Sequence, residues 1–220
     1  MRAVVVGSLN MDLILGVPEL PSRGQTLLCR SWDRSPGGKG ANQAVALARL
    51  GARVEMVGAV GDDVDGAELA ANLKSAGVST RHVSVRPDGP TGLAVVHLTP
   101  DGDNAIVVVP GANASLGPGD VAAAGFHGAD LLLLQLEVPP ETVLAAARAG
   151  REGGALVVLN AAPARDLPAD LLAAVEVLVV NQGEAAALSG SDDPQDAATR
   201  LRDQGSSGGG DTGRGGLHRG

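Results

Sequence analysis

The sequence predicts an α/β protein built on a doubly wound, mostly parallel sheet. From residue 129 onward, short apolar strands alternate with helical segments, as in chains that form parallel sheets. The run Leu131–Leu136 is apolar throughout, so we expect a strand that is covered on both faces. Earlier, the apolar and largely β-branched runs Ala3–Val6 and Val54–Val60 flank a helical segment over 44–50. These runs together predict one open sheet with helices on both sides.

The remaining elements of the main sheet follow the same alternation. Apolar periodicity and stop residues define them, for example Gly77 after a helix that carries Leu69 and Leu73 on one face. Further helices are predicted over 64–76, 139–148, 168–174, 184–188 and 194–203, and further strands over 80–85, 156–159 and 177–180.

Two pairs of extended runs do not fit a simple alternating chain. Leu13–Val17 and Thr26–Ser31 both precede the first helix. Gly92–Thr99 and Asn104–Val109 are joined by Pro100–Asp103, whose Asp-Gly is a hairpin signal. We expect these four runs to form a small side sheet, with an edge of the main sheet as the alternative place for the hairpin.

Composition excludes several classes of function. The net charge is −8, and one Trp, one Phe and no Tyr leave no stacking platform, which argues against a nucleic-acid partner. No apolar run approaches the ~20 residues that cross a bilayer, so we expect no membrane partner. Cys29 is the single cysteine, so no intrachain disulfide can form. We expect a buried free thiol at Cys29 and a cytoplasmic protein.

The glycine-rich stretch Gly37–Gln43 is the first candidate ligand site. Its three glycines allow close approach of a ligand to the backbone, and Lys39 and Asn42 add a positive charge and an amide. A helix follows, and the free N–H groups at a helix start favour an oxygen-rich or anionic ligand. The alternative is a plain glycine-rich loop before a helix.

Polar side chains also follow several predicted strands. Ligands of parallel sheets gather outside the carboxyl ends of the strands, so residues in these places are candidates for binding. Asn10 and Asp12 share one side if the backbone there stays extended, although Asn and Asp also form turns. The strand-end residues are Asn10, Asp12, Glu137, Asn160, Asn181 and Glu184.

Six segments of the chain, in order, resemble motifs of the ribokinase-like sugar kinases, the PfkB family. They extend from the first strand to about residue 205, and six matches in register make chance an implausible explanation. The segments are Val6–Asp12, Gly37–Gln43, Gly61–Asp63, Leu134–Glu137, Leu159–Ala164 and Asn181–Glu184. Val6–Asn10 lacks the glycine fingerprint of a dinucleotide-binding turn, which argues against a Rossmann dehydrogenase.

The resemblance implies a role for each matching residue. Asn181 would contact the phosphates of ATP, and Glu184 would serve the Mg²⁺ that accompanies ATP. The side sheet, from about 13–34 and 92–110, would be the family's lid and its usual homodimer interface. The residues implied in sugar binding are Asn10, Asp12, Gly38, Lys39, Gly40, Ala41, Asn42 and Glu137.

The implied activity is transfer of the ATP γ-phosphate to the 5-hydroxyl of D-ribose. Fructose and ketodeoxygluconate are alternative substrates, since related kinases use them. Phosphoryl transfer depends mainly on positioning, Mg²⁺ and charge stabilisation, and a lid would exclude water from the reaction. The partners expected are therefore a small sugar and ATP.

The chain departs from the family after Gly205. Residues 206–220 are rich in glycine and lack apolar periodicity, so we expect a disordered tail after an incomplete domain over 1–205. The family's catalytic Asp and monovalent-cation (K⁺) site lie in the final third, so no catalytic residue is assigned here. A shifted reading frame near codon 205 would explain the change, and the alternative function is a truncated, inactive sugar-binding fragment.

Overall fold

A computed structural model describes residues 1–207 of the chain. Its strands are β1 (Arg2–Val6), β2 (Asn10–Gly16), β3 (Ser31–Gly37), β4 (Arg53–Gly61), β5 (Ser79–Arg86), β6 (Gly92–Leu98), β7 (Asn104–Val109), β8 (Leu131–Leu134), β9 (Leu156–Asn160) and β10 (Val177–Val179). Its helices are α1 (Lys39–Arg49), α2 (Val64–Ser75), α3 (Pro118–Ala124), α4 (Pro140–Glu152), α5 (Ala169–Ala173), α6 (Gln182–Ser189) and α7 (Pro194–Ser207), with a 3₁₀ helix at Gly111–Ser115.

The main sheet confirms the predicted fold class. Its strand order is β10-β9-β8-β1-β4-β5, and every neighbouring pair is parallel. Successive residues of β1 point to opposite faces, as the strand repeat requires. Val5 belongs to a buried cluster with Ala44 of α1 and Leu73 of α2. Val4 belongs to a second cluster with Ala146 of α4, so helices cover both faces of the sheet.

The predicted side sheet also forms, with the strand order β3-β2-β6-β7. The second strand of this sheet along the chain does not lie where the sequence predicts it: the prediction over Thr26–Ser31 is wrong, and β3 begins at Ser31. Antiparallel pairing with β2 runs from Gly16 opposite Ser31 to Asn10 opposite Gly37. Most of β3 is exposed and polar, so its pairing rather than an apolar pattern makes it a strand.

Helix α1 begins five residues earlier than the predicted start at residue 44. The glycine-rich stretch is therefore the end of β3 and the first turn of the helix. Glycine has low helix propensity, which hides this turn from a sequence pattern. The tertiary contacts described below hold the turn in place.

Several smaller expectations need correction. Cys29 is exposed rather than buried, because it lies in the strand-free connection between β2 and β3. Strand β8 ends at Leu134, two residues early, and the buried Leu136 instead donates its N–H to the Ala162 carbonyl at 3.0 Å. Helix α3 and the 3₁₀ helix have no counterpart in the prediction.

The C-terminal helix is longer than expected. Helix α7 continues to Ser207, so the first two residues of the predicted tail are helical. The rest of that tail, 208–220, and the proposed frame shift lie outside the described residues. None of the helices within 1–207 has the length and apolar character needed to cross a membrane.

Candidate functional site

The candidate site lies at the carboxyl ends of β1 and β8. The chain passes from β1 to β4 and β5 on one side, and later places β8, β9 and β10 on the other side. The strand order therefore reverses between β1 and β8. A crevice at such a reversal is where open α/β sheets bind their ligands.

The first turn of α1 is fixed against the ends of these two strands. The Lys39 N–H donates to Glu137 Oε2 at 3.0 Å, and the Gly40 N–H donates to Ser8 Oγ at 3.3 Å. The Ala41 N–H donates to the Ser8 carbonyl at 3.0 Å. The helix-start donors that we expected to face a ligand are thus satisfied within the chain, and the anion at this helix start is Glu137.

Two glycines are required by this close packing. Gly38 has φ of 90°, a left-handed conformation that glycine adopts without strain. A Cβ on Gly40 would lie 2.7 Å from the Ser8 backbone nitrogen and 2.8 Å from the Gly7 carbonyl carbon. Gly40 therefore lets α1 approach the end of β1 more closely than any other residue would.

Two carboxylates, those of Asp12 and Glu137, lie near this turn. Glu137 Oε2 accepts from Ser8 Oγ at 2.5 Å and from the Lys39 N–H, whereas its Oε1 makes no hydrogen bond within residues 1–207. Burial raises the pKa of Asp12 above its ordinary value, and the charge of Glu137 raises it further. Both carboxylates are half-buried, so hydroxyl donors from a ligand would stabilise them.

Asn10 is held by a residue that the sequence reading missed. The Nδ2 of Asn113, in the 3₁₀ helix, donates to Asn10 Oδ1 at 2.8 Å. Asn113 also accepts from the Leu9 N–H at 2.9 Å and donates to the Leu9 carbonyl at 3.0 Å. A contact across 104 positions leaves no local sequence signal. We call Ser8, Asn10, Asp12, Asn113 and Glu137 the β1–β8 cluster.

The side chains of Lys39 and Asn42 border the cluster without contacts to it. Lys39 is half-buried and Asn42 is exposed. Within residues 1–207 neither side chain makes a hydrogen bond or an ion pair. Both are therefore free to contact a ligand, as the sequence predicts for them.

The buried amide of Gln135 packs against the first turn of α1. Gln135 follows β8, is fully buried, and donates its Nε2 to Gln43 Oε1 at 2.6 Å. Its Oε1 has no hydrogen-bond partner among the residues that the structure describes. A Cβ on Gly7 would lie 1.8 Å from that oxygen, so the missing side chain of Gly7 is what makes room for the amide.

Asn181 and Glu184, predicted to serve ATP and its metal ion, lie at the carboxyl end of β10. They form a capping box at the start of α6: the Glu184 N–H donates to Asn181 Oδ1 at 2.8 Å, and the Asn181 N–H donates to Glu184 Oε2 at 2.9 Å. The pair therefore has a structural role that needs no ligand. The order of the sheet puts it two strands away from β8.

A magnesium ion is compatible with this pair. Mg²⁺ usually keeps several waters and binds through one or two carboxylates together with substrate phosphates. Glu184 fits that mode because its Oε1 accepts no hydrogen bond within residues 1–207. The same residues contain no cluster of three or more His, Cys, Asp or Glu that would form a complete metal cage.

Comparison with known proteins gives a consistent result. The sequence model described as pfkB family carbohydrate kinase matches residues 2–209. The ribokinase of Bacillus subtilis is 41% identical over 186 residues, which cover 84% of this chain and 63% of that enzyme. The deoxyribokinase of Salmonella typhimurium is 37% identical over 205 residues, which cover 92% of this chain and 66% of the relative. The chain thus spans less than two thirds of the length of these relatives.

The fold is similar to a solved structure of the same kind. The structure of Arabidopsis thaliana ribokinase complexed with ribose and ATP matches with a TM-score of 0.78 at 30% identity. The match covers 92% of this chain and 68% of that chain. The likeness therefore extends over nearly the whole of this chain and about two thirds of that structure.

Proposed function

Because the chain belongs to the pfkB family of carbohydrate kinases, we propose that it serves the ATP-dependent phosphorylation of a small sugar, D-ribose, at its 5-hydroxyl. The observation that supports this most directly is the β1–β8 cluster. It offers two half-buried carboxylates and an amide at the switch point of the sheet. A sugar hydroxyl both donates and accepts hydrogen bonds, so it is matched by such a mixture of groups.

The carboxylates of the cluster and the first turn of α1 have distinct tasks in this proposal. The free Oε1 of Glu137 and the carboxylate of Asp12 would accept hydrogen bonds from sugar hydroxyls. The first turn of α1, at Gly38–Asn42, would form the wall of the site, with Lys39 and Asn42 contacting the sugar from its rim. Fixed partners of this kind hold the acceptor hydroxyl in place, which is most of what phosphoryl transfer asks of a protein.

The nucleotide side of the proposal rests on Asn181 and Glu184. The Asn181 side chain would contact ATP phosphates, and the free oxygen of Glu184 would hold Mg²⁺ directly or through water. When bound, Mg²⁺ would neutralise charge on the phosphates. The cytoplasm is the compartment we propose, since a chain with one cysteine depends on no intrachain disulfide.

The sugar is tested by competition between close analogues. We propose that the chain binds D-ribose more tightly than 2-deoxy-D-ribose and D-fructose in calorimetric titrations. The deoxyribokinase relative makes 2-deoxy-D-ribose the essential comparison. Tighter binding of 2-deoxy-D-ribose or of fructose would reassign the substrate.

Sugar binding without phosphoryl transfer is a second candidate. Within residues 1–207 the side chains of Asn10 and Glu137, proposed for the sugar, contact other side chains of the β1–β8 cluster, whereas those of Asn181 and Glu184 contact each other's backbone at a helix start. Ribose binding by calorimetry with no ribose-dependent ADP release would favour this candidate. Ribose-dependent turnover would eliminate it.

A homodimer through the small sheet completes the proposal. Strand β7 exposes four consecutive apolar side chains, Ile106 at 54%, Val107 at 59%, Val108 at 42% and Val109 at 45%. An apolar strand of this kind is a candidate for burial against a second copy. Light scattering should give a dimer mass, which Val107→Lys reduces to that of a monomer. Val85→Lys, at an exposed valine of the main sheet, is the control and should leave the dimer intact.

A further inference from the structure

Asn113 is almost fully buried, with 1% of its surface exposed, and it stands beside a proposed sugar ligand. It follows the last strand of the small sheet and reaches back to the segment that links β1 to β2. Its side chain contacts the backbone of Leu9 and the side chain of Asn10. A buried amide with this many partners has its orientation fixed by them.

The backbone determines which way the Asn113 amide faces. Its Oδ1 accepts from the Leu9 N–H at 2.9 Å, and its Nδ2 donates to the carbonyls of Leu9 and Pro110, both at 3.0 Å. A reversed amide would set two N–H donors together and place its oxygen against two carbonyl oxygens. Only the observed orientation satisfies all three backbone groups.

This orientation in turn fixes Asn10. The Nδ2 of Asn113 donates to Asn10 Oδ1 at 2.8 Å, so its two hydrogens serve three oxygens and at least one bond is shared. Asn10 Nδ2 makes no hydrogen bond within residues 1–207. The one buried side-chain atom lacking a partner there is Gln135 Oε1, so Asn10 Nδ2 must reach solvent although Asn10 is only 2% exposed.

A glycine of the small sheet lies directly beside the two amides. Gly92, the first residue of β6, lies opposite Asn10 in the pairing of β2 with β6. A Cβ on Gly92 would lie 2.2 Å from Asn113 Nδ2 and 2.3 Å from Asn10 Oδ1. The absence of a side chain at Gly92 therefore lets the two amides meet.

We propose that Asn113 is a positioning residue that makes Asn10 a hydrogen-bond donor to the substrate. The inference rests on the proposed sugar-binding function and adds to it the direction of one hydrogen bond. Asn10 donates through Nδ2, so the sugar oxygen that it meets accepts. The two carboxylates can only accept, and Asn10 thus supplies the opposite polarity in the same site.

The direction of the bond can be read from ligand analogues. Fluorine in place of a hydroxyl can accept a hydrogen bond but cannot donate one, and a deoxy position can do neither. We would titrate 2-deoxy and 3-deoxy-D-ribose and their fluoro counterparts by calorimetry. A donating Asn10 predicts that the fluoro analogue binds about three- to tenfold more tightly than the deoxy analogue at one of these positions.

The variant Asn113→Asp tests whether Asn113 orients the Asn10 amide or only stabilises the fold around it. The aspartate still accepts from the Leu9 N–H but has no hydrogen for Asn10 Oδ1, so the Asn10 amide turns over and presents its oxygen. The preference for the fluoro analogue should then disappear, so that the fluoro and deoxy analogues bind this variant equally tightly. Asn104→Asp, the same change at an exposed position of β7, should keep the preference. A preference that survives Asn113→Asp, or equal binding of fluoro and deoxy analogues to the native chain, would overturn the proposal.

A second measurement uses the native chain without a ligand, so it does not depend on whether a variant folds. Side-chain amide hydrogens of the native chain can be followed by NMR exchange in the absence of sugar. Those of Asn113 should be protected and those of Asn10 should exchange faster, and the opposite order would overturn the proposed orientation. If no pentose binds, the proposed function fails, whereas these exchange rates still decide the orientation of Asn10.

Discussion

The β1–β8 cluster and the Asn181–Glu184 pair are built in opposite ways. In the cluster, hydrogen bonds join residues that are 98, 104 and 129 positions apart, so the whole fold assembles it. In the pair, both hydrogen bonds join residues three positions apart at one helix start. The cluster is therefore specific to this fold. The pair is a local cap that many helices share, and its chemistry depends on what is brought to it.

The largest expected effect is the loss of the carboxylate that joins the two strands. Glu137→Ala removes the acceptor of Ser8 Oγ and of the Lys39 N–H, together with the free oxygen proposed to bind the sugar. We expect D-ribose affinity to fall about 10- to 100-fold in calorimetric titrations.

Glu152→Ala is the matched control for that change. Glu152 is an exposed residue at the end of α4, so the substitution should leave ribose affinity unchanged. Equal ribose affinity in the Glu137→Ala chain would show that the cluster is not the sugar site.

A backbone substitution tests the close approach of α1. Gly40→Ala places a Cβ against the Ser8 nitrogen and the Gly7 carbonyl carbon, neither of which can move independently. We expect a loss of about 1–3 kcal/mol in the free energy of unfolding, together with weaker sugar binding. Gly119→Ala in α3 meets nothing within 4 Å and should stabilise by up to about 1 kcal/mol in the same denaturant titration. Equal stability of the two variants would contradict the packing described here.

The carboxylate pair predicts a conflict between stability and function at Asp12. Its pKa is raised by burial and by Glu137, so the stability gained from protonation is present in acid and is lost as pH rises through the folded-state pKa. Asp12→Asn should therefore raise the melting temperature at about pH 7 while weakening sugar binding, and the gain should shrink towards about pH 4.

Asp88→Asn, at an exposed aspartate, is the control for Asp12 and should shift the melting temperature little at either pH. A lower melting temperature for Asp12→Asn at neutral pH would show that the ionised carboxylate stabilises the fold instead.

The smallest effects on sugar binding are expected for substitutions in the Asn181–Glu184 pair. Asn181→Ala removes a helix cap and should cost about 1 kcal/mol of stability. Glu184→Gln keeps a capping-box residue and should retain stability, while it removes the charge proposed for Mg²⁺. Both should leave ribose affinity unchanged, and Glu184→Gln should weaken binding of MgATP. A loss of ribose affinity in either variant would show that the Asn181–Glu184 pair contributes to sugar binding together with the β1–β8 cluster.

Much of the fold could be predicted from the sequence, because apolar strands and amphipathic helices depend on local patterns. Asn10, Asp12 and Glu137 could be predicted as neighbours, since they follow strands whose carboxyl ends meet. Asn113 could not, because its partners lie on a segment about a hundred positions earlier, and β3 could not, because it is polar and exposed. The pattern Asn-x-x-Glu predicts a helix cap and a nucleotide contact equally well.

The most direct test is a calorimetric titration of D-ribose into the 220-residue chain without nucleotide. If residues of the β1–β8 cluster form a sugar site by themselves, ribose binds at one site per chain. Glu137→Ala abolishes or strongly weakens that binding, and Asn181→Ala does not change it. An absence of ribose binding, or binding that is lost with Asn181→Ala and kept with Glu137→Ala, would contradict this assignment.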